Sequence, residues 1–292
     1  MDRLFGKNNQ IMLDLTVIIL TFNEEIHIKR VLDNVTPLAK EVVIVDCFST
    51  DKTLDIAREY PNVRILQHVW ENNHAKQFNW GLKEADIKTE WILRLDADEY
   101  LEEGLIEKMK SELPLLSERI SAINLRLRHK FMGKFLKGGT GKIYLTRLFR
   151  NGKAKSEERL MDEHIQVLEG ETVTWKETFV DDNLNDLTWW TAKHNGYATR
   201  EAMAMIMEEG NPGSASSKKK GFYSRLPLFW RSFAYFLYRY FLRGGFLEGK
   251  AGFMWCFLQG WWYRTLVDAK IEEERARRNE GRGTRDEGRD TS

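Results

Sequence analysis

"WILRLDADEYLEEG", residues 91–104, ends an apolar run on a crowd of carboxylates. Trp91, Ile92, Leu93 and Leu95 read as a short buried strand, and Asp96, Asp98 and Glu99 arrive where that strand should stop. Carboxylates this close repel one another and call for a cation. Hard oxygen donors suit magnesium or manganese. A plainer reading is a strand end followed by a helix, because Glu102 and Glu103 favour a helix N-terminus. The rest of the chain decides between the two.

Upstream, the chain alternates between two kinds of segment. "LTVIILTF" (15–22), "EVVIVD" (41–46) and "NVRILQ" (62–67) are apolar, β-branched runs, as expected of strands buried on both faces. Between them, "NEEIHIKRVLDNV" (23–35), "STDKTLDIAREY" (49–60) and "NHAKQFNWGLKEA" (73–85) carry helical spacing. Asn23 stands at the start of the first helix as its cap. This alternation predicts an α/β fold with a mostly parallel sheet flanked by helices. In such sheets ligands bind beyond the carboxyl ends of the strands. The chain puts polar residues there each time: Thr21 and Asn23, then Asp46, then Asp96 and Asp98. No G-x-G-x-x-G follows the first strand and no G-x-x-x-x-G-K is present, so dinucleotide and P-loop readings lose support.

Beyond residue 120 the pattern changes. "SAINLRLRHKFMG" and "KIYLTRLFRNG" alternate like strands of a half-exposed sheet, joined by the glycine- and lysine-rich "KFLKGGTGK", a flexible basic loop. "NPGSASSKKK" (211–220) has the composition of a linker. Residues 222–269 hold eight Phe, five Tyr and four Trp of the chain's 16, 9 and 10, so this segment has its own character. Its basic residues far outnumber Glu248 and Asp268, and Gly244 and Gly245 should break it into two helices. No run reaches the ~18 apolar residues of a membrane span. An aromatic and basic surface of this kind suits the interface of an anionic bilayer, and packing on a second subunit is the alternative. The tail after residue 271 is nearly free of apolar residues and is expected to be disordered. The expected domains are therefore 1–210, a linker at 211–221, interface or oligomerisation helices at 222–271, and a tail at 272–292.

Whole-chain numbers narrow the class. Lys and Arg number 45 against 44 Asp and Glu in 292 residues, which argues against a general nucleic-acid binder. Cys47 and Cys256 form no zinc spacing or disulfide framework, and the polar start does not read as a signal peptide. A reducing, cytoplasmic setting on the inner face of the membrane is the expectation.

The order "VIILTFNEE … VVIVDCFSTDKT … WILRLDADEY" resembles the inverting glycosyltransferases of family 2, which have the GT-A fold. The resemblance covers about residues 14–200, and "RLFRNGKA", "RLMDEHI" and "KHNGYATREA" are similar to bacterial members that build lipopolysaccharide core, O-antigen or capsular sugars. It implies a nucleotide-sugar donor, UDP-linked by preference, a divalent metal (Mn2+ or Mg2+), and a lipid-linked or glycan acceptor. By this resemblance Asp98 would hold the metal and Asp96 would touch the ribose or metal-bound water. Asp46 would read the base, although Cys47 stands where the family often has a second acid. Thr21, Asn23 and Glu24 would line the nucleoside pocket, and Lys76 would meet the diphosphate. Inversion needs a general base for the acceptor hydroxyl. The "MDEH" segment supplies Glu163, with Asp162 as the alternative. His194 and Arg200 could meet donor or acceptor phosphates, or serve packing. The Q-x-x-R-W pattern of processive synthases is absent, so transfer of a single sugar is expected.

Two other classes stay open at this stage. A nucleotidyltransferase also places acids at strand ends, but it would normally carry a glycine- and basic-rich loop after the first strand, where "LTFNEE" is acidic. A non-catalytic, membrane-associated glycan-binding module would have no use for an intact D-x-D and "MDEH".

Overall fold

The computed structural model describes residues 12–158, 164–209 and 226–287, which divide into two compact units. The first comprises the described residues up to Phe135 together with Lys142–Leu184. Its strands are β1 (Leu13–Thr21), β2 (Ala39–Asp46), β3 (Val63–Gln67), β4 (Trp91–Asp96), β5 (Glu99–Leu101), β6 (Ile120–Phe131), β7 (Lys134–Phe135), β8 (Ile143–Arg150), β9 (Ala154–Ser156), β10 (Ile165–Val167) and β11 (Glu171–Asp181). Nine of these form one sheet in the order β3-β2-β1-β4-β8-β6-β11-β5, with β7 on β6, while β9 and β10 pair separately.

The first four strands of that order run parallel, as the sequence predicts. Alternate side chains feed two cores. Val17, Ile19, Val42, Ile44, Leu93 and Leu95 face one, and Ile18, Val43, Val45 and Ile92 face the other. That period of two, apolar in both registers, is why these strands read as unbroken apolar runs. Helix α1 (Ile28–Val35) covers the first face with Ile28, Val31, Leu32 and Val35. On the second face lies α3 (His74–Glu84), whose N-terminus is capped by Asn73 accepting from the Lys76 amide at 2.9 Å. A Cβ on Gly81 would fall 2.6 Å from Val45 Cγ2, so only glycine lets α3 sit this close to β2. β6, β8 and β11 extend this same sheet in mixed sense, β8 antiparallel to β4 with Leu93 opposite Leu148. Helix α4 (Glu103–Glu112) packs Leu105 and Met109 into the first core.

Two predicted helices are shorter than expected. The first begins at Ile28 and not at Asn23, and α2 covers only Thr53–Ala57. The residues released from both helices bond to each other instead.

The second unit contains Leu136–Gly141 and the described residues from Asn185 onward. It is helical: α5 (Leu187–Glu209), α6 (Trp230–Leu237), α7 (Gly249–Trp255) and α8 (Tyr263–Glu287). Helix α6 continues through a π-helical stretch, Tyr238–Leu242, and α7 reaches α8 through another, Cys256–Trp262. The chain breaks at Gly244, with φ of 77°, before the short 3-10 turn Gly245–Glu248, as expected of the glycine pair. Ala198, Ala202 and Ile206 of α5 pack on Tyr263, Val267 and Ile271 of α8. Among the described residues, no helix is long and apolar enough to cross a membrane.

Three features differ from the sequence reading. The first unit ends at Leu184, not at 210, because α5 buries its apolar residues against α8. The tail expected to be disordered is helical through Glu287, where Arg277–Glu273 and Arg278–Glu274 pairs at 2.7 and 2.9 Å support it at i,i+4 spacing. The basic glycine loop is packed: a Cβ on Gly138 would meet the Arg243 carbonyl oxygen at 2.5 Å, and one on Gly139 the Cys256 sulfur at 2.9 Å. The 211–221 linker lies outside the described residues.

Candidate active site

The loops after β1 and β2 are stitched together by side chains bonding to backbone. Asn23 Oδ1 accepts from the Thr50 amide at 2.8 Å, and the Asn23 amide donates to Ser49 Oγ at 2.8 Å. The Glu24 amide donates to Thr53 Oγ1, the Glu25 amide to Asp51, and the Lys52 amide to Glu25. Asn23 holds φ of 55°, a left-handed conformation that asparagine tolerates better than most residues. Glu24 turns its carboxylate to His27 Nδ1 at 2.6 Å, and His27 Nε2 accepts from the Leu184 amide at 2.9 Å. Asn23 and Glu24 therefore build the loop wall, in place of the helix cap read from the sequence.

Asp46 lies under this wall, fully buried. Register places it beside Thr21 on one side and Gln67 on the other. Thr21 Oγ1 and Ser49 Oγ donate to Oδ1, and the Ser49 amide and Gln67 Nε2 donate to Oδ2. Those four donors fill a carboxylate's acceptor capacity. Reading a base through Asp46 would require the Gln67 bond, the longest at 3.3 Å, to give way. Burial and the Asp46 charge push the neighbouring Cys47 thiol up to about 11, so it stays a neutral thiol.

The D-x-D segment stands at the next strand end. Asp96 is aligned with Leu20 of β1, and its side chain is 43 % exposed. Glu99, buried in β5, accepts from the Asp96 amide at 2.9 Å. The cation these acids call for is Arg147 of β8. Its Nη2 donates to Glu99 Oε1 at 2.6 Å and to Asp96 Oδ2 at 3.2 Å. Desolvation alone would raise the Asp96 carboxyl, but the charges of Arg147, Arg94 and His74 outweigh it and hold it below the usual carboxylate range. Glu99 moves the other way: desolvation, with the Asp96 charge, raises it well above the usual range against the pull of Arg147.

Asp98 Oδ2 accepts from Asn183 Nδ2 at 2.8 Å. Arg30 of α1 donates to the Asp98 carbonyl at 3.0 Å and to the buried Asp182 carboxylate at 2.8 Å, which Lys130 also meets at 3.0 Å. The D-x-D loop is thus held from below by Arg30 and from the side by Arg147. Among the described residues, no group of three or more His, Cys, Asp or Glu is placed to hold a metal. A metal at Asp98 would need ligands beyond the acids described beside it.

The remaining candidates are dispersed. Lys76, exposed on α3, pairs with Glu71 at 3.0 Å. Asp162 and Glu163 lie outside the described residues, between β9 and β10. The described ends of that segment are joined by the Glu157 amide donating to the His164 carbonyl at 2.8 Å. Asn79 of α3 anchors β9 by paired bonds to the Ser156 backbone, both 2.9 Å. His194 and Arg200 belong to the helical unit. His194 stacks on Trp190 at 3.5 Å and bonds Gln259 at 2.8 Å, while Arg200 lies over the Tyr197 ring at 4.8 Å. Both make these contacts within the helical unit.

Arg147 and Arg30 were missed in the sequence. A signal for Arg147 was present, because it interrupts the apolar "YLTRLFR" and a buried guanidinium must have a partner.

Comparison with known proteins bears on the same segment. Residues 16–125 match the family model described as Glycosyl transferase family 2. The SPbeta prophage-derived glycosyltransferase SunS of Bacillus subtilis is 31% identical over 156 residues, 51% of this chain and 34% of that protein. Poly(ribitol-phosphate) beta-N-acetylglucosaminyltransferase TarS of Staphylococcus aureus is 32% identical over 126 residues, 39% of this chain and 21% of that protein. The matched segments thus span only 34% and 21% of these relatives' own lengths. Among solved structures, the mannosyltransferase PcManGT from Pyrobaculum calidifontis, in complex with GDP-Man and Mn2+, aligns with a TM-score of 0.49 at 16% identity, over 89% of this chain and 87% of that one.

Proposed function

We propose that this chain, which carries a glycosyl transferase family 2 domain over residues 16–125, moves one sugar with inversion from a nucleotide-sugar donor to a lipid-linked or glycan acceptor. The observation that carries the reading is the set of strand ends inside the matched segment: Thr21 pairs with Asp46, and Asp96, level with Leu20, ends the next parallel strand, with Asp98 just beyond. A uridine diphosphate donor suits this set. The stitched loops after β1 and β2 form the nucleoside wall, and Thr21 and Asp46 form its floor.

Asp96 and Asp98 fit a Mn2+ or Mg2+ ion. They supply hard oxygens, both side chains are partly exposed, and such ions commonly take one or two carboxylates and complete their shell with substrate phosphates and water. Bound there, the ion would neutralise charge developing on the leaving diphosphate. Arg147 keeps Asp96 ionised for this role, and Arg30 fixes the backbone at Asp98 through its carbonyl. Glu163, with Asp162 as the alternative, takes the acceptor hydroxyl's proton as the new glycosidic bond forms. Lys76 reaches the diphosphate by leaving Glu71. The helical unit works at the cytoplasmic face of an anionic membrane, where a lipid-linked acceptor would be presented.

A screen of nucleotide sugars with manganese, with and without chelator, tests the reading. Metal-dependent consumption of one donor with release of its nucleoside diphosphate is expected. Pyrophosphate release from a nucleoside triphosphate and a sugar phosphate, with no nucleotide sugar consumed, would replace it by nucleotidyl transfer.

A further inference from the structure

The Gly244 break in the helical unit carries an apolar tip. Leu242 is 80 % exposed and Leu247 77 %, and Phe241 and Phe246 are also exposed. The two phenylalanine rings lie 6.4 Å apart, and both contact Tyr240, at 5.0 and 6.3 Å, so the patch is continuous. Four bulky apolar side chains at one turn are unusual on a surface that stays in water.

The charges around the tip are sorted. Lys137, Arg243 and Lys250 are exposed beside it. The acid of the turn, Glu248, is directed inward, where Oε1 accepts from the Lys137 amide and from the Gly138 amide at 2.7 Å. Arg239 Nε donates to the Gly139 carbonyl at 2.6 Å. The 136–141 loop therefore braces the turn from within and takes up its carboxylate, which leaves cations facing out. Its glycines permit this, since a side chain at 138 would strike the Arg243 backbone.

We infer that the Phe241–Leu247 turn inserts into the interfacial layer of an anionic bilayer, with Lys137, Arg243 and Lys250 at the headgroups. The inference rests on the membrane reading given above and names the element that performs it. Apolar side chains with flanking cations, and the turn's own acid directed inward, match an acidic lipid surface. A second copy would bring the same cations against these in a two-fold contact, which like charges oppose.

Vesicle flotation of the full chain tests this, with phosphatidylglycerol mixed into phosphatidylcholine against phosphatidylcholine alone. The full chain should float with the anionic vesicles. Leu242→Ser/Leu247→Ser should weaken partitioning by roughly tenfold or more at every salt concentration. Lys137→Glu/Lys250→Glu should weaken it by about as much at low salt and progressively less as salt rises. Light scattering should give each variant the oligomeric state of the parent. A parent that ignores anionic vesicles, or a serine pair that binds as well as the parent, overturns the inference. So does a serine pair that converts an oligomer to a monomer, because a second copy then covers the tip. Nucleotide binding measured without lipid separates the two claims: its loss from the parent would sink the sugar-transfer reading and leave the flotation result standing.

Discussion

Arg147 Nη2 lies 2.6 Å from Glu99 Oε1, and the two side chains are buried together behind the D-x-D loop. The guanidinium also reaches Asp96, so one residue on β8 neutralises acids from both β4 and β5. Arg147→Met leaves the buried, proton-holding Glu99 carboxyl without its hydrogen-bond donor and should lower unfolding free energy by about 1–3 kcal/mol in urea titration. A loss below about 1 kcal/mol would show that water reaches Glu99 and replaces the arginine.

The same pair predicts a pH dependence. Burial raises Glu99 above its usual 4.5, so the folded protein holds that proton more tightly than the unfolded chain does. This contribution is complete below the unfolded value and falls as pH rises toward the raised folded value. Glu99→Gln cannot lose a proton. Its stability relative to the parent should climb with pH through that window, whatever its absolute level, and parallel pH curves would refute the assignment.

At the D-x-D itself, Asp98→Asn should slow sugar transfer in manganese by about two orders of magnitude or more. Asp98 is only partly buried, so melting should change little. Turnover close to that of the parent would remove Asp98 as the ligand.

For the base, Glu163→Gln should reduce turnover by about two to four orders of magnitude with donor affinity kept, and Asp162→Asn by less. The reverse order would assign the base to Asp162. Two active variants would leave the segment a structural role.

Asn23 offers a test of the stitched loops. Asn23→Gly loses the bond to the Thr50 amide but accepts φ of 55°, whereas Asn23→Ala loses the bond and is strained as well. Alanine should therefore be less stable than glycine by about 1 kcal/mol. Both should weaken nucleotide binding, measured by calorimetry. Equal stability of the two would mean that the loop relaxes out of its left-handed turn.

The parallel half of the sheet was legible because its strands are apolar in both registers, and the polar residues at Thr21, Asp46, Asp96 and Asp98 stood out against them. The partners of those residues were not legible. Arg147 lies 48 positions from Glu99, and Arg30 lies 152 from Asp182, so only the assembled sheet with α1 packed on it brings them together. Asn23 read as a helix cap because its alternative partner, Thr50, sits in another loop. The 272–287 helix was hidden for a different reason. Its support is Glu–Arg pairing, and low apolar content is what was read as disorder.

Arg147 also constrains how the chain folds as it is made. Residues 96–99 leave the ribosome well before residue 147, and synthesis proceeds at about 5–20 residues per second. For some seconds Asp96, Asp98 and Glu99 stand at an open sheet edge, hydrated and without their arginine. Strand β4 also lacks β8 during that interval. Glu99 gains its arginine only once β8 has been synthesised, and a chain arrested at the end of the family-matched segment, residue 125, would lack both that strand and that partner.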